Sequence, residues 1–263
     1  MTGGHGQLQV LVVGSADAFN AAGRANASYL VEGAGVGPLM VDFGPTAMIS
    51  LRRLGRAPGS IEAIVLTHLH GDHAIGLPFF ILNAMFNEPR TRPLQLVGPV
   101  GLKTRLEEMI RVTYGDVADR ERQFEIDLKE LAPGETHTVA GMEVTGHAAE
   151  HMDLPEKPLC LRMRAPDGKQ LAFSGDTEFC DGLREAARGV DLLVAECSAM
   201  RHPCGRHIAW EDWEVELPGI QAAHVLLTHL SEEVRGEAER LVTKAPAGVR
   251  LSFADDGMLV PVG

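Results

Sequence analysis

Residues 65–76 read VLTHLHGDHAIG, and His68, His70, Asp72 and His73 fall within six positions of one another. So many lone pairs are costly to gather in a protein unless something positive sits among them. Neutral imidazoles and carboxylates are the ligands that zinc and its divalent neighbours take. The run ahead of them, IEAIVL at 61–66, is short, mostly apolar and rich in β-branched residues, the pattern of a buried strand. Behind them, AIGLPFFILNAMF reads as an apolar helix. The four donors are therefore expected where a strand runs out into a loop, and loops on a rigid scaffold are where chemistry usually sits.

The chain of 263 residues suits one large α/β domain or two small ones and can bury a sizeable core. We read one domain over 1–263, since no low-complexity stretch or Pro/Gly/Ser linker divides it. No run approaches about 18 apolar residues, so no membrane span is expected. The opening MTGGHGQLQVLVVG has no basic start followed by a long apolar stretch; it reads as a first strand, and a cytoplasmic location is the expectation. Cys160, Cys180, Cys197 and Cys204 fit no CxxC knuckle and are read as reduced thiols. Acidic residues outnumber basic ones 36 to 24, a formal charge of −12. That balance argues against a long polyanion as substrate but leaves room for a small anion.

Strands are expected at 7–14, 27–32, 38–42, 61–66 and 94–97, with helices at 46–54 and 101–113. A strand-rich middle follows, and the hairpin LCLRMRAPDGKQLAFSGD turns at Asp167-Gly168. The last third alternates: helix DGLREAARG, strand DLLVAEC, a helix opened by HIAWEDWEV, strand HVLLTHL, helix SEEVRGEAERLVTKA and a strand pair at 249–262. Helices after strands in both thirds point to two sheets with helices outside. VLTHLHGD at 65–72 and LLTHLSEE at 226–233 echo one another and suggest two halves built alike.

Further metal donors should also stand at strand ends. His151 follows an alternating strand, Asp176 ends QLAFSGD and His229 ends HVLLTH. His147 competes with His151 for its place.

HLHGDH, followed by His151, Asp176 and His229, resembles the HxHxDH motif and downstream ligands of the metallo-β-lactamase superfamily. GSADAFNAAGRANASYLVE resembles the first hairpin of its ribonuclease Z-like, phosphodiesterase-like branch. The resemblance covers most of the chain. It implies an α/β fold, a four-layer αββα sandwich with the site at one edge of the two sheets. It also implies two divalent metal ions, zinc first and manganese or iron as alternatives. His68, His70 and His151 would hold one ion; Asp72, His73 and His229 would hold the second, with Asp176 bridging. Asp72 could also move protons. In that branch a glutamate and a histidine form a dyad beside the scissile phosphate, and Glu196 and His207 stand in similar settings, with His202 the nearest rival. His5, His137 and His224 read as structural or solvent-facing.

These features imply a dinuclear metal-dependent hydrolase, a phosphodiesterase on a small or nucleotide-like substrate acting through a metal-bridging hydroxide. The alternative is a carboxylic ester, lactone, β-lactam or sulfate ester hydrolase on the same site. Diiron oxidoreductases of this fold usually carry glutamate where His70 stands, and a non-catalytic relative would be expected to lose ligands. tRNA is disfavoured as substrate: its processing enzymes insert a gripping arm between the third histidine and the bridging aspartate, and here only 25 positions (176 minus 151) separate the two. Arg24, Asn26, Arg90 and Arg92 are candidates to reach a substrate anion. Residues 78–93 read either as a lid or as a core helix and loop, and the apolar Met85 and Phe86 would need cover, which suggests a homodimer.

Overall fold

The apolar runs form strands in two sets of seven. The computed structural model describes residues 6–117, 119–153 and 156–263; His5 lies outside them. The first sheet takes β1 (Gln9–Gly14), β2 (Ser28–Gly33), β3 (Val36–Val41), β4 (Ala63–Val65), β5 (Leu94–Pro99) and β6 (Ile126–Leu131). The second takes β7 (Thr136–Val139), β8 (Met142–Ala148), β9 (Leu159–Arg164), β10 (Gln170–Phe173), β11 (Leu192–Glu196), β12 (His224–Thr228) and β13 (Arg250–Phe253). A last strand, β14 (Leu259–Pro261), returns to the first sheet and pairs antiparallel with β1. The expected strand pair at 249–262 is therefore two strands of different sheets. A chain end that crosses between layers leaves no mark in local periodicity.

Strand order is β14-β1-β2-β3-β4-β5-β6 in one sheet and β7-β8-β9-β10-β11-β12-β13 in the other. From β1 to β6 the pairings run antiparallel, antiparallel, then parallel three times. From β8 to β13 they run the same way. The two halves are built alike, as the echo suggests. The echoed segments are nevertheless not equivalents: VLTH follows from β4, whose counterpart is β11, whereas LLTH ends β12, the counterpart of β5. The likeness of those two segments reflects a shared task at a strand end.

Helices α1 (Ala47–Arg53), α2 (Gly71–Ala74), α3 (Leu77–Phe86) and α4 (Leu102–Tyr114) belong to the first half, and α5 (Asp181–Ala187), α6 (Trp210–Glu216) and α7 (Glu232–Leu241) to the second. Three apolar cores separate four layers. One lies between the sheets and joins Leu39, Val65 and Val97 to Leu161, Leu171 and Val194. The others lie beneath the two helical layers. The strands β4 and β12 are buried at every position, which is why they read as continuous apolar runs; β8 alternates. Helix α3 buries Phe80, Ile81 and Ala84, so this part of residues 78–93 is a core helix, with Phe79 and Phe86 left exposed. No helix among the described residues is long and apolar enough to cross a membrane.

Leu39 is fully buried between the sheets. Leu39→Ala should cost about 2–5 kcal/mol of stability, from lost transfer energy and the cavity left behind. Urea denaturation would measure it.

Candidate metal centre

The donors gather where parallel strands of both sheets end. Asp42, just beyond β3, has φ 58°, a left-handed conformation that a side chain rarely takes. Its carboxylate accepts from the Thr67 amide at 2.8 Å and the Thr67 hydroxyl at 2.9 Å, and lies 2.8 Å from His73 Nδ1. Held from that side, His73 turns Nε2 toward Asp72 at 3.3 Å and Asp176 at 3.4 Å. The turn 70–73 is pressed onto the end of β3: the Phe43 amide donates to the His73 carbonyl at 2.7 Å. Gly44 permits the approach, since a Cβ there would lie 1.9 Å from the Asp72 carbonyl oxygen.

The second sheet supplies the rest. Asp176, beyond β10, has Oδ2 3.8 Å from His68 Nε2, 3.8 Å from His151 Nε2 and 3.4 Å from His229 Nε2. His151 Nδ1 donates to the Arg206 carbonyl at 2.8 Å, and its Nε2 lies 3.0 Å from His70 Nδ1. The seven expected ligands fall into two sets, His68 with His70 and His151, and Asp72 with His73, Asp176 and His229, with the ligand atoms of each within 4.8 Å of one another; two further groups that overlap them, His151 with Asp176 and His207, and Glu196 with His207 and His229, are as close. All seven expected ligands are thus brought together, and Asp176 lies between the two sets.

The fit to metal ions can be read from the atoms left over. Nε2 of His68, His73 and His229 and Oδ1 of Asp176 are buried without a hydrogen-bond partner among the described residues. Each such orphan costs about 1–3 kcal/mol unless something satisfies it. Electrostatics point the same way. Burial, then the neighbouring His73, pushes His68 well below the usual histidine range, so it is a neutral imidazole. Burial opposes ionisation of Asp176, but His229 and His73 hold it well below the usual carboxylate range. His73 and His229 are raised in turn: burial disfavours their charge most strongly of any one cause, yet the acidic neighbours together outweigh it, Asp176 with Asp42 at His73 and Asp176 with Asp72 at His229. The cluster thus attracts positive charge, and protons and metal ions compete for the same atoms.

Beside it lies the expected dyad. Glu196, the last residue of β11, is fully buried; its carboxylate accepts from the Thr177 amide at 2.6 Å and lies 3.0 Å from His207 Nδ1. Burial works against a charged His207, but the hydrogen bond to Glu196 and that residue's charge raise it to about 9. His207 Nδ1 is also 3.9 Å from Asp176 Oδ2, so the dyad borders the donor cluster. Ser198 stands between Glu196 and His229, 2.5 Å from Glu196 Oε2 and 2.9 Å from His229 Nδ1.

Other candidates are placed elsewhere. His147 faces Glu185 on α5 at 3.4 Å, so His151 takes the disputed position. His202 Nε2 contacts Asp212 of α6, His137 the Glu130 carbonyl and His224 the Ser252 hydroxyl. All four cysteines are free, and none joins the donor sets. Arg90 gives its guanidinium to the carbonyls of Ile61, Arg92 and Pro93, and Arg92 reaches Gly59 and Ser60; both lie at the far end of β4 from the cluster and are structural. Arg24 and Asn26 spend their polar atoms on neighbouring loops: Arg24 donates to the Leu230 carbonyl and Asn26 to that of Asp17. Sequence reading missed Asp42, Thr67 and Ser198. An acidic residue ending the run PLMVD was the one available signal for Asp42.

Since the acidic neighbours raise His73 and His229, lowering the pH puts protons where an ion would bind. Zinc affinity should fall from about pH 8 to about pH 6, by roughly tenfold per unit for each proton displaced. Competition with a chromophoric chelator measures this; an affinity unchanged over that span would remove the imidazoles as ligands.

Comparison with known proteins agrees with this fold. The metallo-β-lactamase-fold protein YhfI from Bacillus subtilis superposes with a TM-score of 0.77 at 19% identity, over 97% of this chain and 99% of that one. A diphosphatase of the PhnP family gives 0.75 at 18%, over 98% and 100%. A ribonuclease Z from Anoxybacillus flavithermus is 26% identical over 297 residues, covering 90% of this chain and 92% of its own. A family model described as anti-Pycsar protein Apyc1 matches residues 8–245. With two seven-stranded sheets, flanking helices and the donor cluster at their shared edge, the chain belongs to the Apyc1 anti-Pycsar protein family, on the metallo-β-lactamase fold.

Proposed function

We propose that this protein is a metal-dependent hydrolase of phosphodiesters, small or nucleotide-like. The observation that carries the reading is the Glu196–His207 pair, set against Asp176 and outside both donor sets of the proposed ligands. Two divalent ions held by His68, His70, His151, Asp72, His73, His229 and Asp176 would supply Lewis acidity and lower the pKa of water toward neutrality. With only Asp72 and Asp176 to offset two dications, the site would keep a positive charge suited to an anionic ester.

The chain's own residues do the rest. Glu196 accepts from His207 Nδ1 and holds the imidazole in its charged form at neutral pH. The Nε2–H of His207 is then available to a non-bridging phosphate oxygen, or to the leaving oxygen as it departs. Asp72 keeps partial exposure, unlike Asp176, and could take up a proton from the attacking water. Acyl transfer to the same centre would not require the dyad, which is why phosphate ranks ahead of carboxylic ester, lactone, β-lactam or sulfate ester. Two of the similar proteins, by their names a ribonuclease and a diphosphatase, also favour phosphate chemistry. The described residues between His151 and Asp176 are spent largely on the hairpin of β9 and β10, which supports a small substrate over tRNA.

Hydrolysis of bis(p-nitrophenyl) phosphate by protein loaded with zinc or manganese tests the reading, with Asp72→Ala as the blank. Turnover should need metal and vanish in the blank. His207→Ala should lower kcat by about 10²–10⁴ on a diester with a nucleoside leaving group. It should cost much less on a p-nitrophenyl ester, whose leaving oxygen needs no proton. Inactivity on every phosphodiester, with both ions bound, would transfer the assignment to acyl or sulfate esters.

A further inference from the structure

We propose that Ser198 is a positioning residue that ties His229 to the Glu196–His207 pair, so that the hold on one metal ion and the setting of the acid depend on one hydroxyl. This rests on the reading of His229 as a ligand and His207 as an acid.

The direction of the hydrogen bonds follows from what each atom can do. A serine hydroxyl has one proton to give and lone pairs to receive. Its Oγ lies 2.5 Å from Glu196 Oε2, a separation that two acceptors cannot share without a proton, and that carboxylate already accepts from the Thr177 amide and from His207 Nδ1. The serine proton therefore points to Glu196. Oγ must then accept from His229 Nδ1, 2.9 Å away. That fixes the tautomer of His229: the proton sits on Nδ1, and the lone pair of Nε2 faces Asp72 and Asp176, at 3.6 and 3.4 Å.

Two further observations make this link more than a convenient contact. His229 has φ 53°, left-handed for a residue with a Cβ, so the backbone that presents this ring is strained and must be held. Ser198 helps to hold it through the hydrogen bond that its Oγ accepts from His229 Nδ1. The carboxylate that receives the serine proton is the one that bonds His207 Nδ1, at 3.0 Å through the same Oε2. One carboxylate oxygen thus positions two imidazoles, His207 directly and His229 through the hydroxyl.

Ser198→Ala removes the link, and Ser198→Thr keeps the hydroxyl. Zinc would be titrated into wild type and both variants against a chromophoric chelator, alongside kcat and KM on a nucleoside alkyl phosphodiester. The wild type should bind two ions. In Ser198→Ala one of the two binding steps should weaken by about 10–100-fold while the other holds, and kcat should fall with KM little changed. Ser198→Thr should restore both. Equal weakening of both steps, no weakening of either, or a threonine no better than alanine would overturn the proposal. A wild type that binds two ions and yet hydrolyses no phosphodiester would remove the acid role of His207 while leaving the His229 link to be judged by the zinc titration. A wild type that binds fewer than two ions would overturn the ligand reading and this proposal with it.

Discussion

The Asp176 carboxylate is almost wholly buried, and one of its oxygens has no hydrogen-bond partner among the described residues. Much of the site's architecture answers that charge. A buried carboxylate left alone would neutralise itself by taking a proton. Here His229 and His73 keep it ionised, and Asp42 braces His73 from behind. Each imidazole turned toward Asp176 presents a ring nitrogen to the same small volume, where a proton or a metal ion can sit. The arrangement is expensive to build and stable only with positive charge inside it. That is the physical case for a metal centre, and it rests on orphaned atoms and geometry before any likeness to another protein.

The centre also explains why both halves of the fold are required. Each half repeats the same run of antiparallel and parallel pairings, yet the two deliver different groups. The first supplies the tight turn after β4 and the brace at Asp42. The second supplies His151, Asp176, His229 and the Glu196–His207 pair, each at or just beyond a strand end or in the loop that follows. Neither sheet alone holds a full donor set for two ions. The inter-sheet core of Leu39, Val65, Leu161 and Leu171 therefore does more than stabilise: it fixes the distance between two half-sites.

Much of this was legible in the sequence. The HLHGDH cluster announces itself by density, and His151, Asp176 and His229 each stand just beyond an apolar run. The dyad came through resemblance, and the structure places Glu196 and His207 in contact. What escaped needed strand order. Asp42 matters because β3 lies beside β4, and Ser198 because β11 lies beside β12; no local pattern states either adjacency. For the same reason Arg90 and Arg92, close to the motif in sequence, belong to the opposite end of β4. The crossing of β14 to the first sheet and the misleading echo of VLTH in LLTH are failures of the same kind: local similarity carries no information about which sheet, or which position in it, a strand will take.

The central claim is that seven residues from two sheets make one centre for two ions. Elemental analysis of the purified protein, joined to its intact mass under native conditions, tests it most directly. The account predicts two divalent ions per chain, with one retained when His229 is replaced by alanine. A wild-type protein that takes up one ion or none when offered excess zinc and manganese would contradict it.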